Sequence, residues 1–152
     1  MFIIDERLQN DTILIGRLPL SQVLLMNDKR YPWVILVPVR NDVFEYYHLS
    51  EADRIQLMKE STLVVEKMAD HFSASSMNIA ALGNVVPQLH QHHICRYTDD
   101  PAWPGPVWGH SPAVPYEADE LEVRVKEIQS LLQQHFVEDL EAENDVNNIV
   151  YW

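Results

Sequence analysis

At 152 residues the chain suits one domain with a core of its own, and 47% hydrophobic with 22% charged residues is ordinary for a globular protein. The net charge of −12 argues against bulk nucleic-acid binding, which needs a cationic surface, and no apolar run approaches the length required to cross a bilayer. Cys95 is the only cysteine, so no internal disulfide is possible. The first seven residues turn acidic at once without a signal-peptide core, and the expected location is the cytoplasm. The charge is unevenly placed. Residues 117–152 hold ten acidic and two basic residues, so a negatively charged substrate bound in the first 116 residues meets less repulsion than the total suggests.

In chain order, residues 2–4 read as a short strand and 5–10 as a helical turn. Residues 12–18 form a strand stopped by Pro19, and 21–27 a second strand rich in Val and Leu. Asp28 to Pro32 is a turn. Residues 33–40 are a third strand, in which Pro38 suggests an edge or a bulge. Ser50 caps a helix over about 51–72, with Ile55, Met58, Val65, Ala69 and Phe72 as its apolar stripe. Residues 77–82 and 89–97 are the fourth and fifth strands. Residues 99–116 hold five of the nine prolines with Trp103 and Trp108, and form an irregular loop. A second long helix covers about 117–138, with Leu121, Val125, Ile128, Leu132 and Phe136 on one stripe. The apolar tail Ile149-Val150-Tyr151-Trp152 is expected to dock on the body or on a partner subunit. The fold class is α+β: a five-stranded, mostly antiparallel sheet with a long helix and a C-terminal helix.

The densest chemistry is Gln88-Leu89-His90-Gln91-His92-His93-Ile94, preceded by Asn78 and a Gly83-Asn84-Val85-Val86 turn. On a strand, alternation puts Gln88, His90 and His92 on one face, and Leu89, Gln91 and His93 on the other. Two imidazoles side by side next to a Gly-Asn loop suit phosphate chemistry. His93, on the opposite face, reads as structural, and Cys95 as a buried apolar residue. A zinc site from His90, His92, Cys95 and His110 matches no common ligand spacing, and its members would face both sides of the strand.

This arrangement resembles the histidine triad (HIT) family, whose pattern is His-φ-His-φ-His-φ-φ after a Gly-containing loop, with an upstream Asn on the previous strand. The resemblance covers roughly residues 2–116, which form a HIT-like domain; residues 117–152 form an acidic helix and apolar tail packed on it. The 99–109 loop looks like that of a bacterial diadenosine-tetraphosphate-hydrolase-like subgroup. Two registers fit the histidines. The Gly83 spacing favours the one that starts at Gln88, making His90 central and His92 third.

The resemblance implies covalent nucleotidyl transfer to a histidine, from a nucleoside phosphoramidate or a dinucleoside polyphosphate. His90 attacks the α-phosphate, with its other ring nitrogen held by the backbone carbonyl at the first triad position, so Gln88 can stand there. His92 donates to a phosphoryl oxygen or assists the leaving group. Gly83, Asn84 and Val85 hold phosphate oxygens. Asn78 steadies the loop or a phosphate, and Asn27 and Asp28 are candidates for the ribose hydroxyls. Gln88 replaces the first histidine, Trp33 stands where many relatives have a histidine supporting it, and Val85 where many have Ser or Thr. The resemblance also implies a homodimer and a nucleotide as partner. No metal is required, although Mg²⁺ can accompany a polyphosphate. The alternatives are a nucleotide-binding protein with little or no catalysis and a zinc-binding structural module.

Overall fold

A computed structural model describes residues 1–138. The elements in chain order are α1 (Glu6–Asp11), β1 (Thr12–Arg17), β2 (Ser21–Met26), β3 (Trp33–Pro38), α2 (Glu51–Phe72), β4 (Ser76–Ala81), β5 (Gln91–Arg96) and α3 (Ala118–Leu132), with 3₁₀ turns at Tyr46–His48 and Gln133–His135. The five strands form one sheet in the order β1-β2-β3-β5-β4. Every pairing is antiparallel, so the expected α+β class holds.

The sheet separates two cores. On one face Val34, Leu36 and Cys95 pack with Leu57, Val64 and Met68 of α2 and with Ile128 and Leu132 of α3. On the other face Trp33, Ile35, Val37 and Ile94 pack with Phe2, Ile4 and Leu8 of the N-terminal segment and Val107 of the long loop. Strand alternation explains the partition: consecutive residues of β3 and β5 serve opposite cores. After α3 the chain returns to β1, where the Phe136 ring lies on Gly16 so closely that a Cβ there would sit 2.5 Å from it.

Several expectations shift. Residues 2–4 are not a strand. Phe2 and Ile4 are buried and Ile3 is exposed, so they alternate as a strand would, but they pair with no neighbouring strand. Pro38 lies on neither an edge nor a bulge. β3 is the central strand, and Pro38 is its last residue, opposite Ser21 and beyond the β3–β5 pairing that stops at Leu36. The missing N–H therefore costs no ladder bond on the β5 side. The irregularity falls in β1, between Leu14 and Gly16.

Helix α2 begins at its Ser50 cap, whose hydroxyl accepts from the Asp53 N–H at 3.1 Å. Its apolar stripe is not the expected one. Ile55 and Met58 are exposed, and the buried face runs through Leu57, Glu60, Ser61, Val64 and Met68. Two members of that face are polar, and both have partners: Glu60 accepts from the Leu20 N–H, and Ser61 joins β5. The expected second helix ends earlier, at Leu132, although Ile128, Leu132 and Phe136 do face the core. The tail at 149–152 lies outside the described residues.

Candidate active site

β5 carries its histidines at the middle of the sheet, with His92 opposite Ile35 of β3 and Ala80 of β4. The strand begins at Gln91, so His90 sits one residue before it, and Leu89 is tied to Val43 by a backbone hydrogen bond. The expected alternation is kept. His90 and His92 face the core that contains Trp33, with ring centroids 5.0 Å apart, and His93 faces α2.

Each ring has its tautomer fixed by what it meets. His90 Nδ1 lies 2.7 Å from the Gln88 carbonyl oxygen. A carbonyl only accepts, so Nδ1 carries a proton, and in the neutral ring Nε2 keeps the lone pair. His92 is fixed in the opposite sense. The Trp33 indole N–H donates to His92 Nδ1 at 2.9 Å. Indole only donates, so Nδ1 must accept, and the neutral ring carries its proton on Nε2. Burial, with the charges His90 and His93 would carry, pushes the His92 pKa down to about 3, which keeps it neutral at physiological pH. The pair therefore offers a lone pair on His90 and an N–H on His92.

His93 offers neither. Its Nδ1 donates to the Val34 carbonyl at 3.2 Å and its Nε2 accepts from the Ser61 hydroxyl at 2.8 Å. Ser61 accepts in turn from Gln91, whose Oε1 takes the Tyr46 phenol. Burial lowers the His93 pKa to about 4, against the raising effect of its backbone hydrogen bonds.

Two hollows meet at His90. An apolar cleft of about 380 Å³ is lined by Leu8, Asp11, Met26, Trp33, Ile35, Leu82, Asn84, Val85, His90, His92 and Trp108, among others. A polar notch of about 150 Å³ on the other side is lined by Glu45, Gly83, Asn84, Gln88 and His90. Asn84 and His90 border both. Such a pairing suits a ligand with an apolar ring and a charged group whose reacting atom sits at the junction. Gly83, Asn84 and Val85 form the turn before the histidines, as the sequence suggested. Val85 is largely exposed, and its carbonyl accepts from Arg7 of α1.

The sequence missed the part played by the N-terminal segment. The Gln88 side chain accepts from the Asp5 N–H at 2.8 Å and donates to the Ile3 carbonyl at 2.9 Å. At the first triad position it thus contributes its carbonyl to His90 and its amide to the N-terminal segment. That clip holds α1 so that Leu8 and Asp11 wall the cleft. The Arg7 guanidinium hydrogen-bonded to Asp5 holds the Asp5 pKa down to about 2.

The structure does not bring the other candidates to the cleft. The Asn27 side chain accepts from the Tyr116 N–H, and its own N–H bonds Asp11. Asp28 is buried and takes Arg30 through both oxygens. The cleft is walled there by Asp11 and Met26 instead. Asn78 accepts from Arg96 at 2.6 Å. Arg96 lies between Asn78, Asp100 and the Gly105 carbonyl, and the Asp100 carboxylate also takes the N–H groups of Tyr97, Ala102 and Trp103. This ion pair builds the long loop that sets Trp108 against His92, with ring centroids 5.2 Å apart. Cys95 faces α2, on the opposite side from His90 and His92, and burial pushes its pKa up to about 12. The four residues considered for zinc are therefore not gathered at one point. Among the described residues no three or more His, Cys, Asp or Glu side chains are gathered so as to hold a metal ion, and no helix is long and apolar enough to cross a membrane.

An antiparallel sheet that presents two imidazoles with complementary tautomers at and just before its interior strand β5, beside a Gly-turn and beneath a helix, defines a histidine-triad type of nucleotide site. The HIT domain family model matches residues 7–99, and the chain belongs to that family. A histidine triad protein from Marinobacter aquaeolei is 49% identical, with 89% of this chain and 98% of that one covered at a TM-score of 0.86. One from Sinorhizobium meliloti is 45% identical over 87% of this chain and 98% of that one, with a TM-score of 0.84. One from Bradyrhizobium japonicum is 43% identical over 90% and 98%, with a TM-score of 0.82. None of the curated proteins compared with the chain matches it. Family membership supports nucleotide binding, or nucleotide hydrolase or transferase activity, in general terms.

Proposed function

We propose that the protein cleaves a nucleotide at its α-phosphate through a covalent nucleotidyl-His90, as a hydrolase or transferase acting on a nucleoside phosphoramidate or a dinucleoside polyphosphate of the diadenosine type. The observation that carries this reading is the opposed tautomers of His90 and His92: a nucleophilic lone pair and a hydrogen-bond donor, side by side at the junction of an apolar cleft and a polar notch. The cleft takes the base and ribose. The α-phosphate lies at His90, where the Nδ1 bond to the Gln88 carbonyl aims the ring. Gly83, Asn84 and Val85 cradle phosphate oxygens from the turn. Mg²⁺, where present, arrives with the polyphosphate. The compartment is the cytoplasm. The unit is a homodimer joined along β4, whose outer edge ends the sheet and leaves Ile79 half exposed.

Intact-protein mass after brief incubation with adenosine phosphoramidate or diadenosine tetraphosphate tests the chemistry. A nucleotidyl adduct or steady nucleoside monophosphate release, lost in His90→Ala, is the expected result. Nucleotide binding by calorimetry without turnover of either substrate would instead identify a binding protein with little or no catalysis.

A further inference from the structure

His92 is held differently from His90, and the difference bears on which leaving groups the site can serve. Trp33 comes from β3, is itself buried, and gives its indole N–H to His92 Nδ1. To act as an acid, His92 would first have to take a proton on Nδ1, where that N–H stands 2.9 Å away. Its Nε2–H can stabilise an oxygen that gains negative charge, but as part of a neutral imidazole it does not release a proton to the leaving group.

Among the described residues the surroundings offer no ready substitute. Val85 has no hydroxyl. The Gln88 amide is committed to Ile3 and Asp5. Asp5 is kept ionised by Arg7. The Thr12 hydroxyl donates to the Leu8 carbonyl. Around His92, β3 supplies Trp33 and Ile35, β2 supplies Met26, the loop supplies Trp108 and α1 supplies Leu8 and Asp11. Besides His92 itself, Asp11 and His90 are the titratable groups lining that cleft among the described residues.

We propose that Trp33 is a positioning residue that holds His92 as a neutral Nε2–H donor, and that the site consequently selects phosphoanhydrides over phosphoramidates. This rests on the nucleotidyl-His90 reading. With an anhydride, His90 Nε2 bonds to the α-phosphorus as the bridging P–O bond breaks. The electron pair stays on the departing phosphate oxygen, which is stable as an anion. His90 keeps its Nδ1 proton on the Gln88 carbonyl and carries the positive charge of the adduct. Water then adds to phosphorus, the P–N bond returns its pair to His90, and the proton passes to solvent. With a phosphoramidate the pair would remain on an amine nitrogen, which departs only when protonated, and His92 does not supply that proton.

Two measurements on the full chain test this. Nitrogen NMR of ¹⁵N-histidine-labelled protein reads the tautomer without any turnover. The expected His92 signal is an unprotonated Nδ1 and a protonated Nε2 near neutral pH, and Trp33→Phe raises the pH at which the ring titrates. A protonated Nδ1 in the wild type overturns the role of Trp33. The second measurement is the ratio of kcat/KM for diadenosine tetraphosphate to that for adenosine phosphoramidate, expected on the order of 10² in the wild type and at least about tenfold smaller in Trp33→Phe at mildly acidic pH. A wild type that prefers the phosphoramidate overturns the selectivity. If Trp33→Phe does not fold, the two wild-type measurements still decide. If neither substrate is turned over, the selectivity falls with the reading it rests on, while the NMR result stands or falls separately.

Discussion

The two faces of β5 carry the same residue type to different ends. On the α2 face, His93 spends both ring nitrogens on the protein, one on the Val34 carbonyl and one on Ser61. On the cleft face, His90 and His92 each spend one, on the Gln88 carbonyl and the Trp33 indole. All three are buried, so exposure does not separate them. What does is the number of ring nitrogens left after folding is complete. A histidine with none left is structural, and one with a single fixed nitrogen left is oriented for a ligand.

The largest expected effect is on the cleft face. His90→Ala should lower kcat/KM by a factor of about 10³ or more, because it removes the group proposed as the nucleophile. It should change stability by only about 1 kcal/mol, the worth of one lost hydrogen bond. Steady-state nucleoside monophosphate release together with urea unfolding checks both halves. A stability loss as large as that of a core variant would break the distinction between the faces.

Next comes Arg96, also on the cleft face but without a catalytic part. It and Asp100 are about 1% and 2% exposed, so removing one partner strands the other in a dry site. Arg96→Met should therefore cost about 3–5 kcal/mol in urea unfolding. It should also release the loop that sets Trp108 against His92, visible as a change in tryptophan fluorescence below the unfolding transition.

His93 tests the other face. His93→Val should cost about 2–3 kcal/mol, since it removes the acceptor of the Ser61 hydroxyl proton and the ring donor to the Val34 carbonyl while filling most of the volume. It also has a pH signature. The folded pKa of about 4 lies below the ordinary 6.5, so between those values the unfolded chain binds the extra proton. Stability is then fully present above pH 6.5 and is lost as pH falls towards 4, at up to about 1.4 kcal/mol per unit for each such histidine. His92, with its pKa near 3, adds to the slope in the same direction. His93→Val should flatten the slope of stability against pH in that window without abolishing it. Carboxylates such as Asp5 and Asp100, both near 2, lose their contribution only at lower pH.

Much of this was legible along the strands. Alternation placed Gln91, His93 and Cys95 opposite His90 and His92, and the Gln88 carbonyl does take the His90 ring as the family pattern implied. Legibility failed where a residue's partner comes from far away in the chain. Trp33 reads as a missing support for the first triad histidine, yet it bonds His92, 59 residues later and diagonally across the β3–β5 ladder. The α2 stripe does not follow from apolar spacing because Glu60 and Ser61 lie on the core-facing side. Counting apolar residues favours Ile55 and Met58, since nothing in the local sequence shows that Leu20 and His93 will hydrogen-bond those two polar side chains. Asn27 and Asp28 are ribose candidates only through the family resemblance, and the sequence around them does not show that their side chains engage the Tyr116 N–H and Arg30.

The smallest expected effect is the one that best separates a backbone role from a side-chain role. Gln88→Ala keeps the carbonyl that aims His90 and removes the amide that grips Asp5 and Ile3, 83 and 85 residues away in sequence. Losing that clip should cost about 1 kcal/mol, spent mainly on freeing the segment before α1. Because Leu8 and Asp11 wall the cleft from that helix, KM should rise by about fivefold while kcat moves much less, and the Asp5 amide should exchange with deuterium faster than the β5 amides do. Gln88→His restores a histidine at the first triad position but breaks the same clip, and should behave like Gln88→Ala. A large gain in kcat from Gln88→His would mean that the side chain at this position belongs to the chemistry after all.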